Sequence, residues 1–162
     1  MSRMKPTVYI ETTIPSFYYE TRTDSESIAM KDWTREWWGG PRLLCDCWTS
    51  IAVVEELESG EHPEKQQKLD LLEEALLLEI TDEIREIAQV YIDNYLMPRD
   101  VAGDALHVAV ASYYKMDYLL TWNCTHLANA RKKQHLRRIN GRLRSDTPEI
   151  ITPLELLGER YA

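Results

Sequence analysis

The chain has 162 residues, a length that suits one domain with a sizeable core. With 44% hydrophobic and 28% charged residues it falls outside the disordered class. A formal charge of −8 excludes nucleic-acid binding through net charge and leaves only a local basic patch for such a partner. The longest apolar stretch is far too short to span a bilayer, so no membrane association is expected. Residues 1–6 hold no apolar run of signal-peptide length, and the expected location is the cytoplasm.

Short strands alternate with helices from end to end, as one domain over residues 1–162. The first strand is Thr7 to Ile10. Glu11, Thr12 and Thr13 form a loop leading to Pro15, a residue favoured in a first helical turn. Asp24 to Trp38 reads as a helix ended by Gly39, Gly40 and Pro41. Arg42 to Trp48 reads as the second strand, after which Thr49 or Ser50 caps a short helix ending near Gly60. Pro63 opens a helix reaching to about Ala75, and Leu76 to Ile80 is its extension or a short strand. Thr81 and Asp82 offer the cap of a helix through Leu96, with Ile84, Ile87, Ala88, Tyr91 and Tyr95 on its apolar face. The next helix runs from about Val101 to Tyr114. Tyr118 to Thr121 is a strand, a helical stretch follows from about Cys124 to His135, and Glu149 to Ile151 is the last strand. Thr152 and Glu155 make a capping box for the final helix. This alternation predicts a three-layer α/β/α sandwich around a mostly parallel sheet.

Polar residues recur in matching contexts. Glu11 directly follows the first strand, and Asn123 follows the run ending at Thr121. Glu56 lies in the apolar helix from Ser50 to Glu58, and Asp104 opens the apolar helix reaching Ala111. In parallel sheets ligands bind in the crevice outside the carboxyl ends of the strands. Acids there are costly to bury unless a cation neutralises them. Carboxylates select hard ions such as Mg²⁺ or Mn²⁺. The pattern points to metal-assisted phosphoryl chemistry. The cysteines give no second metal site. Cys45 and Cys47 share a strand face, and neither a second pair nor a spaced His pair completes a zinc set, so buried reduced thiols are expected.

Val8 to Thr13, Val53 to Leu57, Asp104 to Ala109, Leu119 to His126 and the closing Ile151 to Glu155 together resemble the PIN-domain family, in particular its VapC-like toxin nucleases. The resemblance covers nearly the whole chain in order. It implies an Mg²⁺- or Mn²⁺-dependent endoribonuclease that leaves a 3′-hydroxyl and a 5′-phosphate. By position, Glu11, Glu56 and Asp104 are then the acidic cluster and Asn123 an auxiliary polar residue. Thr13 is the family's small hydroxyl residue, contacting the metal site or a phosphate. Thr121, His126, Arg131 and Lys132 are the further expected substrate contacts. RNA, a cognate antitoxin and a second copy of the chain are the implied partners. Two positions depart from the pattern: Glu11 stands where the family usually has Asp, and Asn123 where it often has a fourth acid. These departures motivate a rival reading, a PIN-like module that binds RNA or protein without cutting.

Three features lie outside the acid pattern. His107, at i+3 from Asp104, reads chiefly as a packed helix histidine. The stretch from Arg131 to Arg144 holds no acid and is either a phosphate-contacting edge or a solvated helix. Trp33, Trp37 and Trp38 form either a hydrophobic face for a partner or plain core.

Overall fold

The computed structural model describes residues 4–94, 96, 102–123 and 130–161. Five parallel strands form one sheet in the order β3-β2-β1-β4-β5. They are β1 (Thr7–Ile10), β2 (Asp46–Ser50), β3 (Leu76–Leu78), β4 (Tyr118–Leu120) and β5 (Glu149–Ile151). The helices among the described residues are α1 (Thr13–Tyr18), α2 (Ser25–Gly39), α3 (Ile51–Glu58), α4 (Lys65–Leu72), α5 (Asp82–Asp93), α6 (Ala102–Tyr113), α7 (Ala130–Leu143) and α8 (Pro153–Tyr161). Helices flank the sheet, as the alternating pattern predicts, and the sheet is parallel throughout.

β1 lies at the centre, and Val8, Tyr9 and Ile10 are fully buried. A strand covered on both faces loses the usual in/out alternation, which is why this segment reads as a continuous apolar run. The chain moves outward from β1 to β2 and β3, then returns to the other side of β1 for β4 and β5. The order therefore reverses between β1 and β4, where the connections diverge and leave a crevice at the carboxyl ends. Hydrogen bonds extend the ladder past the strand ends, from Glu11 N–H to the Leu120 carbonyl and from Thr121 N–H to the Ile151 carbonyl. α2 packs against α1 and α8, and α5 against α6 and α7. No described helix is long and apolar enough to cross a membrane.

Several boundaries differ from those read in the sequence. The second strand starts at Asp46 rather than Arg42, because Pro41–Leu44 forms a 3₁₀ turn with Pro41 leading it. The strand then extends to Ser50, which pairs with Leu78 of β3. α4 begins at Lys65, after a left-handed Glu64, and ends at Leu72, so that Leu76–Leu78 is a strand. Cys45 and Cys47 are free and half-buried rather than fully buried, and only Cys47 lies within the strand. Tyr95 and Cys124, expected in helices, lie outside the described residues. Trp37 and Trp38 belong to the core, whereas Trp33 is half-buried.

Candidate active site at the carboxyl edge of the sheet

Glu11 leaves β1 at its carboxyl end and is 5% exposed. Its carboxylate accepts hydrogen bonds from Thr13 N–H and from Thr121 Oγ1 at 2.9 Å. The first partner follows from the tight turn into α1. The second comes from the neighbouring strand, because β4 ends beside β1. Burial raises the Glu11 pKa above its ordinary value despite the opposing field of His107 and the Thr13 and Thr121 bonds. The fold thus retains a carboxylate at a place that disfavours its charge.

Glu56 is presented by α3, the helix that follows β2. One oxygen meets His107 Nε2 at 2.8 Å, and the other accepts from Thr12 Oγ1. The carboxylate side chain is 41% exposed, so it borders both the interior and solvent. Burial opposes its ionisation, but the His107 contact outweighs that and lowers its pKa.

His107 is the hub. It is 2% exposed, projects from α6, and approaches Tyr9 Oη with Nδ1 at 2.7 Å. Tyr9 Oη in turn lies 2.7 Å from Ser50 Oγ. Burial would push His107 down, but Glu56, then Glu11 and Asp104, more than offset it and hold its pKa above the ordinary value. In the protonated ring both nitrogens donate, Nε2 to Glu56 and Nδ1 to Tyr9. The Tyr9 hydroxyl, held strongly to its protonated form by burial, then donates to Ser50. The two ring hydrogens of His107 and the Tyr9 hydroxyl hydrogen then each have an acceptor. The arrangement also explains why Ser50 occupies the N-cap position of α3 without a side-chain cap bond: its hydroxyl is turned to Tyr9.

Asp104 lies in the first turn of α6, where the helix dipole favours an anion. Asn123 Nδ2 donates to its two oxygens at 3.1 and 3.3 Å. The preceding residue, Gly103, is so close to Glu56 that an added Cβ would stand 3.4 Å from Glu56 Oε1. Glu56 touches the buried imidazole directly, and the charges of Glu11 and Asp104, from two other segments, also favour its protonated form.

The remaining expected contacts have definite places. Thr121 Oγ1 serves Glu11, and Thr13 Oγ1 accepts the Trp122 N–H at 2.8 Å while lying 3.4 Å from Thr121 Oγ1. Arg131 is exposed at the start of α7, and Lys132 Nζ donates to the Leu96 carbonyl at 2.9 Å. His126 lies outside the described residues. Sequence reasoning passed over Thr12, Tyr9, Ser50 and Trp122. The one local signal for this network was His107, one turn from an acid on a buried helix.

The donors of the site are carboxylate oxygens with one side-chain amide, a set whose chemistry suits a hard divalent cation. Among the described residues, no three His, Cys, Asp or Glu side chains are grouped closely enough to hold one ion. In this arrangement each acid is instead held by hydrogen-bond donors of the protein.

No protein-family model matches the sequence, and no curated protein matches it significantly. Solved structures do share its fold. A chain of a toxin–antitoxin complex from Klebsiella pneumoniae superposes with a TM-score of 0.58 at 14% identity, over 90% of this chain and 97% of that one. A chain of VapBC2 from Rickettsia felis, bound to a promoter DNA fragment, gives 0.55 at 14% identity, over 90% and 98%. A chain of FitAcB from Neisseria gonorrhoeae gives 0.55 at 13% identity, over 91% and 98%. The protein thus shares the fold of these chains, a five-stranded parallel sheet flanked by helices.

Proposed function

We propose that this protein is a divalent-metal-dependent endoribonuclease of the PIN/VapC toxin type. What supports the reading is the chain of contacts beside the point where the strand order reverses: Glu11 buried at the end of β1, Glu56 on His107, and Asp104 on Asn123 just past β4. Glu11, Glu56 and Asp104 would hold Mg²⁺ or Mn²⁺, with Asn123 beside them to orient water or the phosphate. When bound, the ion would lower the pKa of a water and neutralise charge on the phosphate.

The chain's own residues do the positioning. Thr13 and Thr121 fix Glu11, and the Ser50–Tyr9–His107 chain fixes Glu56. To hold an ion, Glu56 and Asp104, the more exposed acids, would have to share or exchange their His107 and Asn123 partners. No side chain acts as nucleophile in this scheme. The basic face of α7 supplies phosphate contacts at Arg131 and Lys132. A cognate antitoxin and a second copy of the chain are the proposed protein partners, and the neighbours from toxin–antitoxin complexes support the first.

The test is cleavage of a mixed RNA pool with the product ends mapped. A 5′-phosphate and 3′-hydroxyl, produced only with Mg²⁺ or Mn²⁺, are expected. Cyclic phosphate ends, or equal cutting in EDTA, would reject the scheme. The rival, a PIN-like module that binds without cutting, is favoured by Asn123, which brings no charge to the fourth position. It predicts no cleavage under any metal.

A further inference from the structure

Beside the acids lies an aromatic surface that the nuclease scheme does not use. The Phe17 ring meets Trp122 edge-on, with centroids 6.0 Å apart and an interplanar angle of 60°. Trp122 in turn stacks on Trp33, at 6.2 Å and 29°. All three side chains are half-buried, whereas Trp37 and Trp38, on the same helix as Trp33, are fully or nearly fully enclosed. Trp37 and Trp38 thus belong to the core, and Phe17, Trp33 and Trp122 remain partly exposed.

We infer that Phe17, Trp122 and Trp33 form a stacking subsite for an unpaired nucleobase of single-stranded RNA. This inference rests on the nuclease reading and names the form of its substrate.

The shelf is tied rigidly to the acids. Trp122 backbone N–H donates to Thr13 Oγ1, and its indole Nε1 donates to Thr34 Oγ1 at 2.8 Å. The ring is therefore anchored at both ends, which lowers the ordering cost of binding against it. Its chain neighbours are site residues: Thr121 donates to Glu11, and Asn123 to Asp104. A strand whose phosphate lies at the acids places an adjoining base at this surface.

One arginine borders the shelf itself, and a second lies on the neighbouring tyrosines. Arg22 lies 5.6 Å from the Phe17 centroid, with a 63% exposed side chain that also pairs with Glu20. Arg35 lies over Tyr18 at 4.6 Å and near Tyr19 at 5.7 Å. Aromatic faces with arginine alongside are the recurring means of holding single strands, since every base has a π-face. A paired base has its faces covered by its own stack, so duplex RNA cannot use such a shelf.

The experiment is fluorescence anisotropy of a short labelled single-stranded RNA in EDTA, beside the same strand annealed to its complement. Phe17→Leu is expected to weaken single-strand binding about tenfold, the usual effect of losing one aromatic stacking contact. Phe17→Trp is expected to retain the affinity, and neither change to alter duplex binding. Equal single-strand affinity of wild type and Phe17→Leu, an equal loss with duplex, or no binding of the single strand overturns the inference. Should Phe17→Leu fail to fold, quenching of wild-type indole emission by the single strand and not by the duplex serves instead, and absence of quenching overturns it. Binding through the shelf with no cutting in Mg²⁺ or Mn²⁺ would sink the nuclease reading alone. Metal-dependent cutting with unchanged Phe17→Leu affinity would sink the shelf alone.

Discussion

His107 Nε2 lies 2.8 Å from Glu56 Oε1, joining a fully buried ring on α6 to a half-exposed acid on α3. The two residues are 51 positions apart in sequence, so the contact ties the helix after β2 to the helix before β4. It also decides the ionisation of both partners.

A pH window follows from that pair. His107 is held above its ordinary 6.5, so its stabilising contribution is full below 6.5 and is lost as pH rises through the folded value. Glu56 is held below its ordinary 4.5, so its contribution is present above 4.5 and is lost as pH falls through the folded value. Their joint contribution is greatest between 4.5 and 6.5. Thermal melts across pH should show the largest gap between wild type and His107→Gln in that window, shrinking on the alkaline side. A gap independent of pH would show that the ring acts by packing alone.

Glu11 carries the opposite sign. Its raised pKa means that the folded state favours the protonated form, so its contribution is present below the ordinary carboxylate value of 4.5 and is lost as pH rises through the folded value. At neutral pH the charge is a net cost. Glu11→Gln should raise the melting temperature at pH 7 in EDTA, with a smaller difference in acid. Each 1 kcal/mol corresponds to about 2–4 °C for a chain of this size. Mn²⁺ should raise the midpoint of wild type more than that of the variant. A lower midpoint for Glu11→Gln at neutral pH would contradict the burial argument.

Asn123 faces Asp104 through its amide nitrogen. Asn123→Asp replaces that donor with a like charge. In EDTA the variant should melt lower than wild type, because two carboxylates confront each other. In Mn²⁺ the order should reverse, as an added anionic oxygen ligand strengthens ion binding. Calorimetric titration of Mn²⁺ reads the same effect, and an unchanged affinity would place Asn123 outside the ion's reach.

Away from the site, Asn140 knits three helices and a loop. Fully buried, it accepts from Tyr91 Oη and donates to Ser112 Oγ at 3.1 Å and Thr147 Oγ1 at 3.0 Å. Asn140→Ala leaves the buried Tyr91 hydroxyl without this acceptor, at a cost of about 1–3 kcal/mol. Denaturant melts should show that loss while RNA cleavage well below the midpoint stays unchanged. Loss of cleavage in a folded Asn140→Ala protein would mean that α7 controls the site.

The sequence was most informative where structure is local. β1 and β5 match their apolar runs residue for residue. The capping box forms as read, with Glu155 N–H on Thr152 Oγ1 and Thr152 N–H on Glu155 Oε1. The second strand was misplaced at its start because β2 takes its bounds from pairing with β1 and β3, which Arg42 to Cys45 do not signal. The strand-end rule pointed to Glu11 and Asn123, whereas Glu56 and Asp104, which lie on α3 and α6, were expected from the acid pattern and the resemblance. What ties them together was not legible: Tyr9 reaches Ser50 and His107 across 41 and 98 residues of sequence. Nothing near Tyr9 distinguishes it from an ordinary core tyrosine. Trp122 likewise gains its meaning only when Thr13 and Thr34 arrive from elsewhere to hold it.

The central claim is that Asp104 belongs to a metal-dependent ribonuclease site, and the most direct measurement compares RNA cleavage by wild type and Asp104→Asn with Mg²⁺, Mn²⁺ or EDTA. The account predicts cutting by wild type in either metal, none in EDTA, and none by the variant at equal fold content. Equal cutting by both proteins, or no cutting by folded wild type under any metal, would contradict it.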